Sequence, residues 1–209
     1  MNKKNIAVLA VIIIVLLGGF FFVAIKNKGK DNTTNKEEEK FLSGKHYVEI
    51  EVEKYGVIKL ELDADTAPIT VTNFINLVND HFYDGLTFHR IMEGFMIQGG
   101  GYEVDGSRKQ ADSIKGEFIA NGVKNNISHK KGVISMARTP YDMDSASSEF
   151  FIVQKDSVFL DGNYAAFGYV IDGLDVVDKI AKKSKPTDDN GSINLDERPV
   201  IKTIKVVEK

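Results

Sequence analysis

The sequence predicts a mainly β fold, a closed or nearly closed sheet of eight strands capped by two helices, set behind an apolar N-terminal segment. Three observations carry this reading: eight short strand-like segments, two runs of helical spacing, and a twenty-residue apolar stretch that stands apart from both. Closure is expected because an open eight-stranded sheet would leave two edges of unpaired N–H and C=O groups.

The front of the chain is read as an anchor. From Ile6 to Ile25 no residue is charged or strongly polar, and at about 1.5 Å of helix rise each, these residues span roughly 30 Å, the thickness of a bilayer's hydrocarbon layer. A cleaved secretory signal is the rival reading, but its apolar region usually runs only about 7–15 residues and ends in a small-residue site. Val23-Ala24-Ile25 fits that poorly. Residues 1–25 are therefore expected to form a transmembrane helix. Lys3 and Lys4 precede it while Lys26, Lys28 and Lys30 come after it, so basic residues favour neither side. A start-of-chain anchor acting as a signal places the bulk outside the cytoplasm, giving a single-pass protein of the cell membrane. Residues 26–45, with the run Lys36-Glu37-Glu38-Glu39-Lys40, lack periodic apolar positions and read as a polar linker. As a flexible coil it would hold the C-terminal domain on the order of 25 Å from the membrane.

That domain is residues 46–209. It contains 19 Lys and Arg against 26 Asp and Glu, a formal charge of −7, which disfavours nucleic acid and anionic lipid as partners. The absence of cysteine excludes disulfides, cysteine-based zinc sites and thiol catalysis.

Taken in order, Tyr47 to Glu53 alternates Val48, Ile50 and Val52 with three glutamates, a half-buried strand. Gly56 to Leu62 repeats the alternation with Ile58, Leu60 and Leu62, so Lys54-Tyr55-Gly56 is a hairpin turn. Asp65-Thr66-Ala67-Pro68 offers a cap and an early-turn proline before Val71, Phe74, Ile75, Leu77 and Val78 at helical spacing. Leu174 to Lys182 is the second helix, with Leu174, Val177 and Ile180 on one stripe and Asp175 at its positive end. The other strands are Leu86 to Met92, Phe95 to Gly99, Gly132 to Ala137, Glu149 to Gln154, Phe167 to Ile171 and Val200 to Val207.

One stretch carries chemistry. Phe88 to Gly100 reads FHRIMEGFMIQGG, an apolar run holding a lone arginine, Arg90, and a lone amide, Gln98. Burying either without a partner is costly, so both are expected to face a partly dry groove. The familiar constellations are missing: Gly99-Gly100-Gly101 is not followed by Gly-Lys-Ser or Gly-Lys-Thr, no G-x-S-x-G elbow occurs, and His46, His81, His89 and His129 lack metal-ligand spacing. The histidines read as surface or packing residues, and Asp142 with Asp144 as a solvated turn rather than a calcium loop. No cofactor and no metal are expected.

Beyond Arg90 and Gln98, several apolar and amide clusters recur: Gly94-Phe95-Met96-Ile97-Gln98, Ser135-Met136-Ala137, Ser148-Glu149-Phe150-Phe151-Ile152 and Phe159-Leu160-Asp161-Gly162-Asn163-Tyr164. At these residues, over about 46 to 207, the chain resembles the cyclophilins, a family of peptidyl-prolyl cis/trans isomerases. The resemblance implies an eight-stranded antiparallel barrel closed at each end by a helix. It implies Arg90 as the catalytic residue and Phe95, Met96, Phe151 and Leu160 as the apolar pocket for a proline ring. It further implies Gln98 as the amide that holds the substrate backbone, with Ala137 and the residue after it along the groove. Phe150 and Phe167 are expected in the core.

Three positions depart from the family's commonest pattern. Glu149 stands where glutamine is usual, putting a negative charge beside the groove. Phe159 stands where many members have tryptophan, which implies weak cyclosporin binding, and Tyr164 replaces a histidine of eukaryotic members. The three are counted with the substrate-binding set. The resulting expectation is a membrane-tethered isomerase acting on proline-containing unfolded or nascent exported polypeptides; the alternative is a proline-peptide-binding chaperone or scaffold without significant turnover.

Overall fold

The architecture follows from where apolar residues fall along each strand. A computed structural model describes residues 41–209; the expected membrane helix and all of the linker up to residue 40 lie outside the described residues. Strands β1 (Lys45–Val52) and β2 (Gly56–Asp63) form a hairpin in which Val52 faces Gly56. The turn places Lys54 at φ 64, a left-handed conformation that closes the three-residue loop. Val48, Ile50, Ile58, Leu60 and Leu62 are fully buried, as the alternation requires. The body begins before β1: Leu42 packs on the core, and its N–H donates to Thr72 Oγ1 at 2.8 Å.

Helix α1 (Pro68–Asn79) starts with Pro68 in its first turn and buries Thr70, Val71, Phe74, Ile75 and Val78. Its cap differs from the expected one. Neither Asp65 nor Thr66 caps it; Ala67 is the N-cap residue and makes no side-chain bond. Instead Glu117, 48 residues away and nearly fully buried, accepts from the N–H of Ile69 at 3.0 Å and of Thr70 at 2.7 Å. A carboxylate there satisfies two otherwise orphaned donors and complements the positive end of the helix dipole.

The remaining elements are β3 (Phe88–Met92), β4 (Met96–Gly99), β5 (Val133–Met136), β6 (Phe150–Val153), β7 (Ala166–Asp172), α2 (Leu174–Lys183) and β8 (Ile201–Val207), with short 3₁₀ turns at Ile119–Asn121, Val158–Leu160 and Leu195–Glu197. The buried stripe of α2 is Val176, Val177, Ile180 and Ala181, with Leu174 only half-buried. All eight strands pair antiparallel in one sheet of order β3-β4-β6-β5-β7-β2-β1-β8. The sheet curls until its two ends meet, through a Thr87–Val200 bridge and bonds from Gly85 N to Ile201 O, Ile201 N to Leu86 O and Phe88 N to Pro199 O. A full ladder between β3 and β8 is not formed. The rest of the free edge of β3 is covered by residues 191–193, since Ile91 N donates to Gly191 O at 2.8 Å and Ile193 N to His89 O at 3.0 Å.

Two apolar clusters result. The first fills the curl, where Phe74 meets the rings of Tyr83, Phe150 and Phe167 at centroid distances of 5.1, 5.6 and 5.3 Å. The second lies on the opposite face of β4, β5 and β6 and contains Met96, Val133, Phe151, Val153 and Leu160. Along β6, Phe150 and Ile152 enter the first cluster while Phe151 and Val153 enter the second.

We predict that Glu117→Ala lowers stability in urea unfolding by about 1.5–3 kcal/mol, the worth of hydrogen bonds to a charged group, with Glu117→Gln intermediate. An unchanged Ala midpoint would refute the long-range cap.

Candidate active site

The second cluster is the floor of a groove. A cavity of about 220 Å³ opens on it, lined by Phe95, Met96, Phe151, Leu160 and Tyr164 on the apolar side and by Arg90, Gln98, Ala137 and Arg138 around them. That is smaller than the roughly 300–1,000 Å³ of clefts that take whole drug-sized ligands, and it suits one side chain or ring. A neighbouring cavity of about 130 Å³ shares Gln98, Ala137 and Arg138 and adds Glu149, Arg108 and three hydroxyl side chains, Thr139, Ser145 and Ser147. Nine of the ten residues singled out in the sequence thus line one cavity or the other. Phe159 is the exception: it lines neither, is 70% exposed, and sets its ring 5.5 Å from Phe95 at a tilt of 34°.

Arg90 is half-buried, and among the described residues no carboxylate approaches it to ion-pair distance. It is held by neutral groups. Its Nε donates to the backbone carbonyl of Asn190 at 2.7 Å, Nη1 to Gln98 Oε1 at 3.4 Å, and Nη2 contacts Met92 Sδ at 3.3 Å, with the guanidinium 5.9 Å from the Phe95 ring centre. Burial lowers its affinity for the proton below the ordinary value, yet a guanidinium stays charged in proteins. A charged guanidinium without an ion-pair partner among the described residues, on which Asp188 acts only through space, therefore faces a small apolar cavity.

Two supports set the orientation of the polar groups. Gln98 Nε2 donates to Glu149 Oε2 at 3.0 Å; because a carboxylate only accepts, the amide must turn its oxygen toward Arg90 and keeps its second N–H free. The side chain of Glu149 lies over Gly101, where a Cβ would stand 2.5 Å from Glu149 Cγ. The second support is the turn from Thr187 to Ser192, which no sequence motif marks as part of a site. Asp188 accepts from the N–H of Asn190 and of Ser192 at 3.0 Å each and from Ser192 Oγ at 2.8 Å. Gly191, at φ 90, presses so close to β3 that a Cβ would sit 2.6 Å from Met92 Cγ. A run of Asp, Asn, Gly and Ser announces a turn, but nothing local says that its carbonyl holds an arginine 100 residues earlier.

The charge expected from Glu149 is largely matched. Arg108 lies 3.6 Å from Oε1, and only 18% of the Glu149 side chain is exposed. His89 Nε2 approaches Oε2 at 3.5 Å, but that ring is neutral near pH 7: burial first, then Arg198, Arg90 and Arg108, pushes it down to about 4. His129, also expected to be a packing or surface residue, is wholly buried, with Nδ1 2.9 Å from Asp161 Oδ1 and Nε2 3.0 Å from Ser135 Oγ. Its ring stacks 6.0 Å behind Phe151 at 17° between planes, so it backs the pocket wall. Burial lowers its proton affinity as well, against the opposing pull of Asp161.

The unfolded chain, whose histidines titrate near 6.5, binds more protons than the folded one between about 4 and 6.5 at His89, so stability falls as pH drops through that window. At about 1.36 kcal/mol per pKa unit the loss at His89 is on the order of 3 kcal/mol. The predicted observation is a shallower fall of the thermal midpoint from pH 6.5 to 4 in His89→Gln than in the unmodified chain; parallel curves would contradict it.

Comparison with known proteins agrees with this geometry. Residues 47–208 match the family described as cyclophilin type peptidyl-prolyl cis-trans isomerase/CLD. The chain is 40% identical over 161 residues to peptidyl-prolyl cis-trans isomerase A of Dickeya dadantii, covering 74% of this chain and 81% of that one. It is 42% identical over 151 residues to a peptidyl-prolyl cis-trans isomerase of Acinetobacter baylyi, covering 69% and 77%. A crystal structure of a cyclophilin type peptidyl-prolyl cis-trans isomerase from Cryptosporidium parvum shares the fold with a TM-score of 0.65 at 24% identity, over 79% of this chain and 99% of that one. With a curled eight-stranded sheet, two packed helices and an arginine-walled apolar cavity already in place, the match over residues 47–208 establishes that this chain belongs to the cyclophilin-type peptidyl-prolyl cis-trans isomerase family.

Proposed function

We propose that this chain catalyses cis/trans isomerisation of prolyl peptide bonds and assists the folding of exported or surface polypeptides from a membrane-anchored position. Rotation about the prolyl amide meets a barrier of about 18–20 kcal/mol because resonance gives C–N double-bond character, and uncatalysed exchange takes tens to hundreds of seconds. No bond is made or broken, so the catalyst need only bind the twisted amide better than either planar isomer. In the twisted state the proline nitrogen regains its lone pair and becomes an acceptor.

The observation that carries the reading is the Arg90 guanidinium, with no carboxylate at ion-pair distance among the described residues and standing on the wall of the small apolar cavity. With a proline ring on Phe95, Met96, Phe151 and Leu160, Arg90 donates to the twisted nitrogen and the free N–H of Gln98 holds the substrate backbone. A charge-assisted hydrogen bond is worth roughly 1.5–3 kcal/mol, which at about 1.36 kcal/mol per tenfold is on the order of ten- to a hundredfold in rate. Fixing the two ends of the segment supplies the rest. Phe159 offers no indole N–H at the rim, in keeping with weak cyclosporin binding.

The apolar run Ile6 to Ile25 and the polar linker after it support anchoring. Expressed in a bacterium, the full chain should sediment with membranes and retain its N-terminal residues by mass; soluble protein beginning near residues 25–30 would overturn the anchor in favour of a cleaved signal.

Exchange of an X-Pro peptide tests the chemistry. Arg90→Ala is expected to lose on the order of ten- to a hundredfold in kcat/KM, and Asp188→Ala, which frees the Asn190 carbonyl that aims Arg90, several-fold in kcat with KM little changed and the thermal midpoint retained. Peptide binding with exchange at the uncatalysed rate in the unmodified chain would instead support a holding role without turnover.

A further inference from the structure

The chain contains 23 lysines but only four arginines, and all four collect at one face. Arg90 and Arg138 line the larger cavity, Arg108 and Arg138 the smaller one, and Arg198 lies behind them with its guanidinium 5.7 Å from the ring of Tyr102, which packs 4.6 Å from His89. On a domain of formal charge −7 this is a local inversion of sign. Among the described residues Glu149 is the one carboxylate that lines the two cavities, its oxygens already shared among Gln98, Arg108 and His89, while Asp188 acts on Arg90 through space.

Arg138, like Arg90, has no carboxylate at ion-pair distance among the described residues. Its guanidinium is sandwiched 4.9 Å from the Tyr164 ring and 5.2 Å from the Phe118 ring, and it is fixed by two carbonyls: Nε donates to Asn163 O and Nη1 to Thr139 O, each at 2.9 Å. A guanidinium has five N–H donors in a rigid fork, so an edge remains without a protein acceptor among the described residues. It borders both cavities beside the hydroxyls of Thr139 and Ser145. Arginine rather than lysine, held rigid and stacked, is the residue suited to bidentate capture of a carboxylate.

We propose that this groove selects proline segments carrying an aspartate or glutamate at one of the two positions before the proline or the one after it, with Arg138 receiving the carboxylate and Arg108 reinforcing it across the smaller cavity. The assignment rests on the isomerase reading for the place of the proline ring. It reverses the specificity suggested by Glu149 alone, whose charge is internally matched.

The test uses the full chain and a host peptide with Ala-Pro at its centre, with Glu, Gln and Lys placed in turn at the two positions before the proline and the one after. Exchange rates and competition binding are both read. At one or more positions Glu should exceed Gln by about threefold or more, in line with a partly exposed charge pair, with Lys below both. The ratio should shrink as salt rises from about 0.05 to 0.5 M, and should approach one in Arg138→Gln. Arg108→Gln, at an exposed side chain, gives a partial loss and guards against a folding defect in the first variant. Equal Glu and Gln values at every position, or a preference untouched by Arg138→Gln in a folded protein, would overturn the proposal. Turnover without charge preference removes this inference alone, whereas binding selectivity without turnover removes the isomerase reading and leaves this one standing.

Discussion

Burial of β4, β5 and β6 on both faces is the constraint on which the rest of the molecule depends. Each strand sends alternate side chains into the curl and into a second apolar cluster outside it, as Phe150 and Ile152 oppose Phe151 and Val153. One set closes the core around Phe74; the other makes the floor of the groove. The groove is therefore rigid, because moving its floor would disturb a close-packed interior through the same strands. It is also partly dry, and a dry wall is what strengthens a nearby cation's field.

Charge is arranged around that floor with little waste. Arg90 gains neutral partners only, so its cation is not cancelled, and the Asp188 turn supplies the carbonyl that aims it. Gln98 is oriented by Glu149, and Glu149 is matched by Arg108. His89 is neutral at neutral pH because desolvation and three arginines oppose its proton, and the buried His129 backs the Phe151 wall. The same neutrality that suits a site between arginines costs stability in acid.

Much of this was legible in the chain. β1, β2 and both helices fall where alternation and helical spacing place them, because half-buried elements print their burial with a period of 2.0 or 3.6; β4, β5 and β6, buried on both faces, show instead as short apolar runs. Arg90 and Gln98 were legible for the opposite reason: they break an apolar run, and polar groups there need a purpose. Less legible were contacts between distant segments. Glu117, not Asp65 or Thr66, caps α1, and Phe159 turns outward while its neighbour Leu160 turns in. In a 3₁₀ turn, sequence adjacency does not decide which side chain faces the cavity.

The sequence by itself determined the elements and singled out Arg90 and Gln98, since local periodicity and the cost of burying polar atoms act over a few residues at a time; the other groove residues came from the resemblance to the cyclophilins. Only the tertiary structure decided the sign of the groove. Glu149 alone reads as a negative site, but Arg108 and Arg138 arrive from separate loops and outnumber it. Electrostatic interactions act through space and fall off with distance, and distance across a curled sheet is set by the fold rather than by spacing along the chain.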